Sequence, residues 1–368
     1  MKGDIVPLLH RRSAGLPAAA LVVLGLLAGC SSAESAVDGP VTPRLADVAP
    51  LAEPRTATGP STARIQAAPV EPITSGPQAL PASVVDAQGT AVTVADTSRI
   101  LALDLYGSTS RLVFELGLGD SVVGRDLSSD FAEIADRPLV TRNGHDLAAE
   151  AILDLAPTVI ITDTSLGPWD TVLQMRDAGI PVVVVGAERS IATIPSLIGE
   201  VSAALGVPER GAELAARVSA SVDETIARIG AVAPADPAQR LRIAFLYVRG
   251  QSGVHYLFGE GSGADDLVRS LGGVDVAEEI GWQGMRPLTD EGLVAAAPDL
   301  VLMMTAGLDS VDGVDGLLRQ VPALAQTPAG QNRRIVDMAD TRILSFGPDT
   351  PRTLDALAVA IYAPDSAR

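Results

Sequence analysis

Histidine, cysteine and aromatic residues are all scarce in this 368-residue chain. There are three histidines, His10, His145 and His255, too few for a polynuclear metal site built from His and Cys. Cys30 is the single cysteine, so no disulfide forms within the chain. Aromatics make up 3%, so Leu, Val and Met must supply much of any pocket wall. Positive charge is outweighed: the net charge of −18 argues against nucleic acid, whose phosphates need a basic face. Catalytic signatures are also missing. There is no G-x-S-x-G, no P-loop, no H-E-x-x-H, and no G-x-G-x-x-G opening a helix after a strand, so an enzyme is not the expectation.

Apolar residues make up 47%, and the length allows two medium domains. Lys2, His10, Arg11 and Arg12 precede an apolar stretch from Ala14 to Ala28, which ends at Leu27-Ala28-Gly29-Cys30. A charged start, a short apolar core and small closing residues describe an export signal and not a membrane span. The L-A-G-C box resembles a bacterial lipoprotein signal. That resemblance implies a signal peptide over 1–29, cleavage before Cys30 and lipid on its sulfur. The alternative is an ordinary secretory signal followed by an idle Cys. From Ser31 to about Ser83 the chain is rich in Ala, Pro, Thr and Ser without apolar period. It reads as a disordered tether over 30–83, with an r.m.s. reach of roughly 40 Å.

Order is expected from near Val92. Strands are predicted at Arg99–Leu105, Ser121–Gly124, Leu139–Val140, Thr158–Thr162 and Pro181–Val185, alternating with helices at Thr109–Leu118, Leu147–Leu155 and Pro168–Ala178. Asp146 reads as the cap of the second helix. Alternation of this kind indicates parallel sheets covered on both faces. Two helices follow. Ile194–Leu205 is the first, and the second, from Pro208, has no Gly or Pro between Gly211 and Gly230 and could run about 30 Å. The chain then breaks at Ala233-Pro234. The second half is expected to hold strands at Arg242, Val254–Leu257 and Arg334–Asp337, with helices at Ala264–Ser270, Val314–Gln320 and Thr350–Tyr362.

Two stretches recur across that long helix. AEAILDLAPTVIITD from Ala149 is echoed by DEGLVAAAPDLVLMM from Asp290, with Glu150 and Glu291 each seven residues before a Pro. RILALDLYG from Arg99 is echoed by RIAFLYVRG from Arg242. The order of the two echoes is the same in both halves, which suggests one element used twice.

Two α/β lobes joined by one long helix, behind a lipoprotein signal, resemble the helical-backbone substrate-binding proteins (class III periplasmic-binding-protein fold). That family serves ABC importers of siderophores, cobalamin and haem. The resemblance covers about Val92 to Tyr362. It implies an N-terminal lobe over 84–207, a connecting helix over 208–232, a C-terminal lobe over 233–368, and a ligand cleft between the lobes. Asn143-Gly144-His145, Tyr247-Val248-Arg249 and Leu344-Ser345-Phe346-Gly347-Pro348 are similar to haem receptors of the HmuT type from actinobacteria. This implies ferric haem b as the transported ligand, with His145 and Tyr247 as axial ligands of the iron and Arg249 supporting the phenolate. The chemistry agrees: His and Tyr are both known axial haem ligands, and a nearby cation favours a charged phenol.

Further lining candidates are Tyr106, which could equally be core, Met285, Trp169 and Phe346. Arg142, Arg286 and Ser345 are candidates for the haem propionates. His255 is the rival ligand, although in an apolar strand it more readily packs or faces solvent. The resemblance also implies that Glu150 and Glu291 dock onto the two permease subunits. A Glu that heads a helix is favourable there without any partner. The expected partners are an ABC haem permease with its ATPase, the membrane through lipid on Cys30, and haem-donor surface proteins. The expected location is the extracytoplasmic face of the cell membrane. The alternative cargo is a ferric siderophore or cobalamin on the same fold.

Overall fold

A computed structural model describes residues 40–250, 254–287 and 289–368. The leader and Cys30 lie outside the described residues. No helix among the described residues is long and apolar enough to cross a membrane.

The chain enters through β1 (Ser61–Ala63) and a small antiparallel pair, β2 (Ala82–Val85) with β3 (Ala91–Val94). It continues through β4 (Ile100–Leu103), α1 (Ser108–Glu115), a hairpin of β5 (Thr141–Arg142) and β6 (Asp146–Leu147), and α2 (Ala149–Asp154). Next come β7 (Val159–Thr162), α3 (Trp169–Asp177), β8 (Val182–Val184), α4 (Ile194–Ala204) and the 25-residue α5 (Pro208–Val232). The second half adds β9 (Arg242–Arg249), β10 (Val254–Phe258), β11 (Val274–Asp275), β12 (Met285–Pro287), β13 (Leu300–Met304), β14 (Ile335–Met338) and a final helix, Thr350–Tyr362.

Strands β4, β7 and β8 form a parallel sheet in the order β4-β7-β8. The second sheet runs β1-β14-β13-β9-β10-β12, with β11 also on β9. Its β1, β14, β13 and β9 are parallel, whereas β10 and β12 are antiparallel. The second sheet is therefore mixed and not purely parallel as expected: the short β9–β10 connection permits only a reversal.

Alternation along each strand divides the core. Ile100 and Ala102 face the central core, Leu101 and Leu103 an outer one. Ile243 and Phe245 face the same central core, while Ala244, Leu246 and Val248 face a second outer one. The central core also takes in α5. Its buried residues Gly211, Leu214, Val218, Val222, Thr225 and Ile229 recur every three or four positions and form one stripe. A Cβ on Gly211 would lie 2.0 Å from Ser202 Oγ, so glycine is what lets α4 and α5 approach so closely.

The two sequence echoes are structural repeats. Helices α2 and Asp290–Ala296 each end at an alanine of positive φ, Ala156 at 43° and Ala297 at 42°, just before a proline. Arg99 Nε donates to Leu155 O at 2.9 Å, and Arg242 Nη2 to Ala296 O at 2.8 Å, so each strand-opening Arg satisfies the orphan carbonyls of its helix. The N–H of each Arg donates to the residue after the proline, Thr158 Oγ1 at 3.1 Å and Asp299 Oδ2 at 3.0 Å.

The expected tether is contradicted for residues 40–83. Strand β1 pairs in register with β14, from Ser61↔Val336 to Ala63↔Met338. Arg334, 1% exposed, holds this segment: its Nη1 donates to Ser61 Oγ at 3.0 Å, and its Nη2 to Ala360 O at 2.7 Å and Ile361 O at 2.9 Å. Beyond β1 the segment crosses to the first half. There Ile73 N donates to Glu115 O at 2.8 Å, Arg217 Nη1 to Glu71 O at 3.0 Å and Arg210 Nη2 to Gly76 O at 3.1 Å. The halves are thus joined along α5 and again along this strap. A chain beginning at Val84 loses β1 and the buried Leu45, Ala57, Ala63 and Ile73. Burial of those side chains contributes roughly 5 kcal/mol, a large share of a typical domain's stability. Its melting temperature should fall by about 10 °C or more against a chain beginning at Pro40. Equal melting temperatures would contradict the integral strap.

Candidate functional site

His145 does not open a helix. Asn143 (φ 48°) and Gly144 (φ 91°) turn the chain into a three-residue hairpin loop, with Arg142 opposite Asp146 and Thr141 opposite Leu147. Asp146 is accordingly a strand residue and not a cap. Helix α2 starts at Ala149 with Ala148 as its N-cap. An Asn-Gly pair favours this reversal because both residues accept positive φ. Buried Leu147 anchors the hairpin in the outer core, and its N–H donates to Gly167 O at 2.5 Å. His145 is left exposed at the tip. Partial burial, then the positive charge of Arg249, hold its imidazole below the ordinary value, while Asp340 and Asp146 pull the other way. The neutral form so favoured is the one that coordinates a metal. Arg249 and Asp340 belong to the other half of the chain, so their charges act on His145 from across the two halves.

Tyr247 is half-buried near the end of β9, opposite Tyr256. Its ring stacks on Phe258 at 6.0 Å, and the Arg249 guanidinium carbon lies 4.5 Å from its centroid. Arg249 Nη2 is 3.0 Å from Asp340 Oδ2, and Nη1 donates to Val248 O at 3.2 Å. Register sorts the neighbouring candidates. Met285 stands opposite Phe258 and so shares the face of Tyr247, 52% exposed. Arg286 stands opposite Leu257, and His255 opposite Val248, both on the other face. The structure therefore separates His255 and Arg286 from Tyr247. His255 Nε2 is buried and accepts no hydrogen bond there.

A narrow cleft between the halves is lined by Tyr106, Ser108, Asp130, Arg342, Ser345 and Asp349, among others. It brings Tyr106 and Ser345 together. Phe346 is not a cleft wall: at 3% exposure it belongs to the central core, behind the loop. Trp169 packs half-buried against the outer core of the first sheet, with Arg176 6.0 Å from its ring. Arg142 is exposed on the hairpin of His145. Glu150 and Glu291 are both exposed at the second position of their helices.

Several site residues were not foreseen. Asp130 of the first half takes Arg342 at 2.6 Å and the hydroxyl of Thr341 at 2.7 Å. Asp340 meets Arg249. Both contacts lie at the carboxyl ends of strands, where open α/β sheets gather ligands; that position was the available signal. Leu105 and Leu127, 36% and 42% exposed, sit beside Tyr106 and Ser128 and offer apolar surface. Beneath Tyr106, whose ring lies 5.0 Å from the Arg189 guanidinium, Arg189 Nη2 is shared by Asp104 at 3.0 Å and Asp163 at 2.7 Å. Burial, then the charge of Asp104, push the neighbouring Asp126 up to about 7. Among the described residues no group of three or more His, Cys, Asp or Glu side chains could hold a bare metal ion.

The family model described as periplasmic binding protein matches residues 104–341. The crystal structure of the heme binding protein HmuT matches with a TM-score of 0.78 and 42% identity, over 84% of this chain and 99% of that one. Structures of HmuT with a His, a Tyr, or the Arg two positions after that Tyr replaced also match, at TM-scores of 0.78 to 0.79. The periplasmic heme-binding protein RhuT from Roseiflexus sp. RS-1 matches with a TM-score of 0.65 and 35% identity, over 74% of this chain and 100% of that one. An uncharacterized ABC transporter substrate-binding lipoprotein of Bacillus subtilis, YvrC, is 21% identical over 294 residues, 78% of this chain and 88% of its own length.

Proposed function

Because the chain belongs to the periplasmic binding protein family, a family of substrate-binding transport proteins and not of enzymes, we propose that it captures ferric haem between its two halves for an ABC importer. In this reading the iron is held by His145 from one half and Tyr247 from the other, with Arg249 supporting the phenolate. The observation that carries it is the Tyr247 ring at the end of β9, stacked on Phe258 with the Arg249 guanidinium over it, while His145 on the hairpin of the other half is near enough for the charge of Arg249 to bear on its imidazole. The Tyr-x-Arg spacing equals that of the Tyr and Arg varied in HmuT, which adds support. An anionic phenolate stabilises ferric over ferrous iron, which suits an oxidising exterior. Met285, Tyr106, Leu105 and Leu127 would supply apolar surface. Arg142, on the hairpin of His145, is better supported as a propionate donor than Arg286, which stands on the opposite face of β12 from Met285. The lipid on Cys30 would hold the protein at the extracytoplasmic membrane face, where Glu150 and Glu291 would meet the permease and its ATPase drive import.

The reading is tested by absorbance titration of a chain beginning at Pro40 with ferric haem. A saturable Soret band at one haem per chain is expected. Absence of that band, with tight binding of a ferric siderophore or of cobalamin, would overturn the cargo and leave the transport role.

Two connections between the halves, α5 and the strap, leave little room for rotation. Haem should reduce the radius of gyration, roughly 20 Å for a body of this size, by only a few per cent. A decrease of several ångströms in solution scattering would contradict a stiff pair of halves.

A further inference from the structure

We infer that Asp340 is a positioning residue of the iron site, holding the Arg249 guanidinium over the ring of Tyr247. The inference rests on the proposal that Tyr247 ligates haem iron. Asp340 lies two residues beyond the end of β14 and opens the short helix Asp340–Ile343. Its carboxylate emerges at the carboxyl end of the sheet, where β14, β13 and β9 lie side by side. Oδ1 accepts the N–H of Ala306, just after β13, at 3.0 Å. Oδ2 accepts from Nη2 of Arg249, the last residue of β9, at 3.0 Å. One carboxylate therefore ties three neighbouring strand ends together.

The backbone bond to Ala306 matters most. It fixes one oxygen on main chain, so the other is aimed at Arg249 without rotamer freedom. The guanidinium of a long, flexible side chain is thereby kept 4.5 Å from the Tyr247 centroid. The pair is partly exposed, 36% for Arg249 and 28% for Asp340. Exposed ion pairs of this kind add little to stability. The arrangement is better explained by what it orients, a planar donor set beside a phenol that would carry negative charge on ferric iron.

The test is a set of ferric haem titrations on the chain beginning at Pro40, read by Soret absorbance and by the tyrosinate-to-iron charge-transfer band. Asp340→Ala should weaken binding roughly tenfold, as expected for losing a charge-assisted hydrogen bond. It should also shift the charge-transfer band in the direction that Arg249→Ala shifts it. Asp340→Glu, with both oxygens and the charge, should recover most of the affinity. In an Arg249→Ala background, Asp340→Ala should have no further effect, because it acts through Arg249. Should Asp340→Ala fail to fold, Asp340→Asn fills the same volume and should weaken binding in the same direction. Binding and spectra equal to the unaltered chain in both variants, or additive losses with Arg249→Ala, would overturn the inference. If the unaltered chain binds no haem, the cargo proposal falls and this inference with it.

Discussion

Replacing Tyr247 by Ala should weaken ferric haem binding by roughly 100-fold or more and abolish the tyrosinate-to-iron charge-transfer band. The estimate exceeds the 10- to 100-fold typical of residues that only support a ligand, because the substitution would remove the anionic bond proposed between the phenolate and Fe(III). The phenol is also built into the sheet: it lies on the inner face of β9, stacked on Phe258 and covered by Arg249. His255 stands on the opposite face of the sheet, whereas Tyr256 stands across from Tyr247 on the same face, so Tyr256→Ala is the control and should keep the band. His145→Ala should cost less, roughly 10- to 100-fold. His145 is exposed at the tip of a hairpin held by only two strand residues on each side, so less of the sheet is committed to it than to Tyr247. The spectra should separate the two: His145→Ala keeps the tyrosinate band and moves toward a five-coordinate form, whereas Tyr247→Ala loses the band. A chain that binds haem equally well with both residues replaced would remove both ligands from the account.

Reversing the charge at both Glu150 and Glu291 should leave haem affinity unchanged and reduce haem uptake through the importer by roughly 100-fold. Each Glu stands at the second position of a helix that ends in a positive-φ alanine and a proline, so the same handle is offered twice. A permease of two similar subunits needs such a pair. Neither carboxylate makes an ion pair among the described residues, and each is exposed, so loss of its helix-end interaction costs only about 0.5 kcal/mol. Two charge reversals, each costing a rim ion pair about 1.4 kcal/mol, give the stated factor. Unimpaired uptake by the doubly reversed protein would show that these carboxylates serve the helices alone.

The repeated elements were legible in the sequence because each carries its own reason. The Arg of each Arg-Ile caps the carbonyls of the helix that precedes the next strand, and the residue after each proline receives that Arg's N–H. The long helix showed itself by the absence of interior glycine and proline after Gly211. The strap did not. Its β1 is three residues long, and several of its further anchors are backbone groups held by Arg210, Arg217 and Arg334. Those anchors lie far along the chain, so the segment's own composition reads as polar and aperiodic. The hairpin at Asn143-Gly144 was legible as a turn but was overshadowed by the helix behind it. Phe346 could not be assigned, because an aromatic in a loop packs inward or outward according to what lies beneath it. Asp340 was passed over although a strand was expected to end three residues before it, at Asp337, on the side where ligand-contacting residues gather.

The most direct measurement is the anomalous signal of iron in crystals of the protein grown with ferric haem. The account predicts a single iron between the halves, bonded to Tyr247 Oη and to a ring nitrogen of His145. An iron on the outer face of β10 beside His255, or outside the cleft, would contradict it.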